Sequence, residues 1–107
     1  MRKSLTLLAA AAVLSTAGIA QAADYAIDPT HTFATFEIGH FGTTTNRARF
    51  DKKEGKVSFD KAAKTGKVDI SIDIASVNSG TAMFDKHLAS AEILNAEKFP
   101  KAQFVSS

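Results

Sequence analysis

The sequence contains no cysteine and no tryptophan, and only one tyrosine and two prolines. Without cysteine there can be no disulfide, no thiol nucleophile, no Cys-based zinc site and no lipoprotein anchor. Charge of one sign is scarce in excess as well. All eleven acidic residues follow Ala22, while two of the thirteen basic residues are Arg2 and Lys3, so residues 23–107 carry eleven of each sign. A formally neutral body has neither the basic footprint of a nucleic-acid binder nor the polybasic stretch that holds a chain to an anionic membrane. Packing without cross-links must hold the fold together, and a body of this size buries only a modest core.

The N-terminal segment has another purpose. Arg2 and Lys3 form a positive start, Leu5 to Ala20 is free of charge, and Ala20-Gln21-Ala22 has the small-x-small pattern of a cleavage site. Residues 1–22 therefore read as a secretory signal peptide cut after Ala22, which makes the remainder an exported domain over 23–107. The alternative is a membrane anchor. It is disfavoured because the alanine-rich stretch is short and weakly apolar beside the ~20 strongly apolar residues a span needs. No stable anchor is expected after cleavage.

Beyond Ala22 the dominant signal is alternation. Val68, Ile70, Ile72 and Ile74 share one parity, while Lys67, Asp69, Ser71 and Asp73 share the other. Only a half-buried strand sorts those residues into two faces. Lys56 to Asp60 repeats the pattern with Val57 and Phe59 inward. Glu54-Gly55 reads as the break from an upstream strand around Arg47 to Lys52, and Lys61 to Gly66, ending in Thr-Gly, reads as a hairpin turn. Thr32 to Phe41 places Ala34, Phe36, Ile38 and His40 together, with Gly39 and Gly42 as points of bending. Sheets that curl in this way become barrels or half-barrels. Asn78-Ser79-Gly80 is turn chemistry. Met83, Phe84, His87 and Leu88 then mark a helical face, Ser90 is a potential N-cap of a second short helix over 90–94, and Pro100 ends that region.

The residues capable of chemistry are few. His31, His40 and His87 lack the short spacings of a zinc site. His31 and His40, nine apart, would face opposite sides of one strand. Asp28 ahead of Pro29 fits an Asx-type turn with the backbone near Thr30. Asp85 fits stabilisation of helix N-terminal amides. Arg47 and Arg49 share a strand face; solvent is the default environment, and a bidentate hold on a pyrophosphate is the sharper alternative. Eight phenylalanines are spread over every element. They would fill an ordinary core or line a tunnel for an apolar chain, and the pattern leaves both open.

Two blocks carry a family resemblance. Tyr25-Ala26-Ile27-Asp28-Pro29-Thr30-His31-Thr32 leads into Phe33 to His40. Asp85-Lys86-His87-Leu88 then opens a run through Phe99-Pro100 to Phe104-Val105-Ser106. Both resemble the YceI-like family of bacterial periplasmic proteins, in the same order and at matching spacing. The resemblance implies a mostly β, lipocalin-like antiparallel barrel. This chain would match the N-terminal half of the domain and therefore form an incomplete half-barrel, with one or two short helices around 81–95. One departure stands out: family members typically carry glycine where this chain has Ala48, and glycine's freedom at positive φ would be lost there.

The resemblance also implies a non-catalytic binding protein that holds an isoprenoid lipid, of the quinone or polyprenyl phosphate type, with no required cofactor and no metal. On that reading Phe36, Ile38, Val57, Phe59, Ile70, Ile72 and Phe84 line the ligand. His31, His87 and Arg49 are the candidates for its polar head, and a second copy could pair along an open sheet edge. Two other readings compete. One is a hydrolytic or metal-dependent enzyme using His31 or His87 with Asp28 or Asp85. The other is a truncated fragment that carries no cargo.

Overall fold

A computed structural model describes residues 22–106. The proposed signal peptide lies outside the described residues, apart from Ala22. Among the described residues, seven strands form two antiparallel sheets that do not close into a barrel. The strands are β1 (Ala23–Ala26), β2 (Ala34–His40), β3 (Thr44–Phe50), β4 (Lys53–Asp60), β5 (Thr65–Asp73), β6 (Val77–Asn78) and β7 (Lys101–Ser106). The larger sheet has the order β1-β4-β5-β7 and the smaller the order β2-β3-β6. A 3-10 turn at Ile74–Ser76 precedes β6, and one helix, α1 (Ala82–Ala89), follows it.

The alternation that marks Lys67 to Ile74 as a strand holds for β5, except that Ile74 leaves the strand and is buried at the start of the 3-10 turn. Two expected turns move. Glu54-Gly55 lies inside β4, and the chain instead bends from the smaller sheet into the larger at Asp51-Lys52, with β3 and β4 running in succession along β6 and β5. There Asp51 N donates to the Ser76 carbonyl (3.0 Å), and Lys52 N donates to Ser76 Oγ (2.9 Å). Asp73 N donates to the Lys52 carbonyl at 2.9 Å, so this corner ties the two sheets together. Thr65 and Gly66 belong to β5, paired with Asp60 and Phe59. The turn before them is closed by Asp60 Oδ1 accepting from Ala63 N (3.0 Å), with Lys64 at φ 55°.

The β2–β3 hairpin turns through Phe41 (φ 51°) and Gly42 (φ 68°), and Thr43 N donates to the His40 carbonyl at 3.0 Å. Positive φ at both positions matches the twist of the flanking strands. Gly39 continues β2 opposite Thr45 and makes no bulge. The second short helix is replaced by turns. Ser90 is extended (ψ 165°) and serves as the C-cap of α1, with its N and Oγ both donating to the His87 carbonyl, so the helix cannot continue through it. Asn95, at φ 47°, reverses the chain toward β7, a conformation its short amide side chain tolerates.

The packed core belongs to the smaller sheet. Ala48 and Val77 are buried against Leu88, which is 1% exposed, and Phe36, Ile38, Phe50, Phe84, Ala89 and Leu94 pack around them. Phe36 and Phe50 stack with ring centroids 5.1 Å apart. Of the expected helical face, Phe84 and Leu88 point inward, while Met83 and His87 are exposed. Ala48 sits in regular β3, opposite Phe36, without the positive φ that only glycine would favour. Its methyl fills the core.

Candidate functional site

The larger sheet has two unlike faces. Directly paired residues project to the same side, so register alone assigns them. Tyr25 pairs with Val57 and Val57 with Val68; Gly55 pairs with Ile70 and Ile70 with Phe104; Ile72 pairs with Ala102. Phe59 falls on that side too, opposite Ala23 and Gly66. The reverse side carries Lys56, Asp69, Lys67, Ser71 and Gln103 from the same strands. One face is thus apolar across four strands, and its aromatic residues are not covered: Tyr25 is 57% exposed, Phe59 47% and Phe104 58%. Exposed apolar side chains gathered on one face make it the candidate binding surface.

Of the residues expected to line a ligand, Val57, Phe59, Ile70 and Ile72 share this open face. Phe36 and Ile38 on β2 and Phe84 on α1 instead pack against the buried Ala48, Val77 and Leu88. Tyr25, Val68 and Phe104 join the face although they were not singled out. Alternation through Ala102, Phe104 and Ser106 was a signal for Phe104. Tyr25 lies in a strand of four residues, too short for periodicity to mark.

Among the described residues, no hydrogen bond or ion pair joins the polar-end candidates His31, His87 and Arg49 to one another. Asp28 and His31 do come together. Thr30 N and Thr30 Oγ1 both donate to Asp28 Oδ1 (2.9 and 2.6 Å), and His31 Nδ1 lies 2.8 Å from Asp28 Oδ2. The Asx-type turn is therefore as expected. The Thr30 hydroxyl, then His31, then the Thr30 amide lower the Asp28 pKa to about 2. His31 is 82% exposed at the side chain and Asp28 58%. Arg49 Nε donates to Asp51 Oδ1 at 2.9 Å, and Arg47 Nε to Glu37 Oε1 at 2.6 Å, so each guanidinium already meets a carboxylate. Asp51 also accepts from Asn78 Nδ2 (2.9 Å), which is the main cause holding its carboxyl below the usual range, with Arg49 and Lys53 adding.

His87 lies exposed on α1, and no hydrogen bond joins it or Asp85 to the Asp28–His31 pair. Asp85 Oδ1 accepts from Ser79 N and Ser79 Oγ, both at 2.6 Å. It therefore stabilises the turn before α1 rather than the first amides of the helix. Among the described residues, no three His, Asp or Glu side chains gather as a metal-binding group.

Comparison with known proteins fits this architecture. A UPF0312 protein of Shewanella denitrificans is 44% identical over the whole chain, and Protein YceI of Escherichia coli O157:H7 is 41% identical. The chain spans 58% of the length of each. Among solved structures, Burkholderia cenocepacia BcnA superposes with a TM-score of 0.68 at 27% identity, over 76% of this chain and 51% of BcnA. A mutant CJ YCEI protein crystallised with a monobromobimane guest superposes with a TM-score of 0.56 at 31% identity, over 78% of this chain and 49% of its own. The family model for the YceI-like domain matches residues 25–107. With that match, and with a backbone that superposes on its solved relatives, the chain belongs to the YceI-like family.

Proposed function

We propose that this chain is the lipid-holding part of a periplasmic, non-catalytic YceI-like binding protein. Its ligand is an isoprenoid lipid, of the quinone or polyprenyl phosphate type, whose tail lies along the apolar face of the larger sheet. The observation that carries this reading is that face itself, with Tyr25, Val57, Phe59, Val68, Ile70, Ile72 and Phe104 aligned by register and its aromatics left open. Covering it with a prenyl chain removes apolar surface from water, which contributes about 2.5 kcal/mol for each ~100 Å². The N-terminal export pattern supports the periplasmic setting. The polar residues favour binding over hydrolysis: Asp28, the Thr30 hydroxyl and His31 are tied to one another in an exposed turn, and Asp85 is held by Ser79 in another.

The test is organic extraction and mass spectrometry of the protein purified from periplasm, with full-length Escherichia coli YceI handled identically. A near-stoichiometric isoprenoid in both extracts is the expected result. Lipid in the relative alone would make this chain a non-binding portion of the domain. Lipid in neither would overturn the reading.

A further inference from the structure

The apolar face of the larger sheet has one charged member. Lys53 opens β4, stands opposite Ile72, and shares the parity of Gly55 and Val57. It is half-buried, as they are, while Glu54 and Lys56 on the reverse side are exposed. Other residues the register assigns to this side (Ala23, Tyr25, Phe59, Gly66, Val68, Ile70, Phe104, Ala102 and Ser106) carry no charge.

The surroundings of the Lys53 ammonium are unlike those of the two arginines. Nζ donates to the Asp51 carbonyl oxygen at 3.2 Å and lies 5.6 Å from the centre of the Phe33 ring. Among the described residues, no carboxylate lies within salt-bridge distance of it. The Asp51 carboxylate, near enough to feel the Lys53 charge, takes its hydrogen bonds from Arg49 and Asn78. An ammonium offers three donors, so one backbone acceptor and an aromatic face leave it under-used. Its methylene stem can follow the apolar surface while the charge stays at the rim, here at the corner where Asp51-Lys52 joins the two sheets.

From this placement we infer that Lys53 is the polar anchor of the ligand site, binding the oxygen acceptors at the head of the isoprenoid while its tail runs over Ile70, Val57 and Phe104. The inference rests on the proposed lipid-binding function and deepens it by fixing which end of the ligand lies at which end of the sheet. A prenyl phosphate and a prenyl quinone both supply such oxygens. The phosphate, being charged, would gain more from an ammonium.

The test measures binding of three tail-matched probes to the purified protein: geranylgeranyl monophosphate, a geranylgeranyl-substituted benzoquinone and the saturated hydrocarbon phytane. Wild type and the variants Lys53→Met and Lys53→Arg are compared, and phytane reports whether each retains the apolar face. The expected result is a preference of about tenfold or more of wild type for one oxygen-headed probe over phytane. Lys53→Met should lose that preference, Lys53→Arg should keep it, and phytane binding should be unchanged in all three. Which probe shows the preference distinguishes phosphate from quinone. A preference that survives in Lys53→Met, or wild-type binding of all probes with no preference, overturns the anchor while leaving lipid binding intact. Failure of wild type to bind any probe overturns the functional reading and the anchor with it.

Discussion

Gly55 on β4 stands opposite Ile70 on β5 so closely that a Cβ at position 55 would lie 2.6 Å from the Asp69 carbonyl oxygen and 3.0 Å from Ile70 Cγ1. The glycine is required by this close approach of two strands, at the middle of the apolar face. Gly55→Ala should force the strands apart and lower stability by about 1–3 kcal/mol, read from the midpoint of urea unfolding. A change within about 0.5 kcal/mol, the range of ordinary surface substitutions, would show that the strands can relax.

Leu88 joins the helix to the smaller sheet. It is 1% exposed against Ala48 and Val77. Leu88→Ala should cost about 2–5 kcal/mol and release α1, seen as lost amide-exchange protection over residues 82–89. Met83→Ala on the same helix, at a side chain 84% exposed, should change stability by less than about 0.5 kcal/mol.

Asp28 should titrate well below an ordinary aspartate. Its folded pKa of about 2 lies below the ordinary value of 3.8. A depressed carboxylate stabilises the turn fully above 3.8 and loses that contribution as pH falls through about 2. The side-chain carboxyl ¹³C shift of Asp28 should therefore have its midpoint near 2, and Thr30→Ala should move it up toward 3.8. A midpoint already near 3.8 in the native chain would mean that the Thr30 and His31 hydrogen bonds do not hold in solution.

Asp85 links the helix to the turn before it through Ser79. Removing a half-buried acceptor of two hydrogen bonds leaves the Ser79 amide without a partner. Asp85→Ala should thus cost about 1–3 kcal/mol and raise the exchange rate of that amide. Unchanged exchange at Ser79 would argue that solvent replaces the carboxylate at no cost.

Much of this was readable from the chain. Alternation at Lys67 to Ile74 and at Lys56 to Asp60 gave β5 and the centre of β4 because one face of each is apolar, and Asp28-Pro29-Thr30 gave its own turn. Gly55 misled because glycine serves close packing as well as turns, and only the neighbouring strand reveals which. Ser90 misled because one side chain can cap either end of a helix; here its extended backbone ends α1. Phe36, Ile38 and Phe84 have the same composition as a cavity lining, and their contact with Leu88 is a tertiary fact. Lys53 was hidden because a lysine at the start of a strand normally reads as solvated, and only its register against Ile72 places it on the apolar side.

The central claim is that an isoprenoid tail lies on one particular face of the larger sheet. Photo-crosslinking with a diazirine-bearing geranylgeranyl probe, followed by peptide mass spectrometry, tests it residue by residue. The expected adducts fall on Tyr25, Val57, Ile70 and Phe104, with none on Lys56, Asp69 or Gln103. Labelling of the charged face, or of the Arg47 and Arg49 surface instead, would contradict the account.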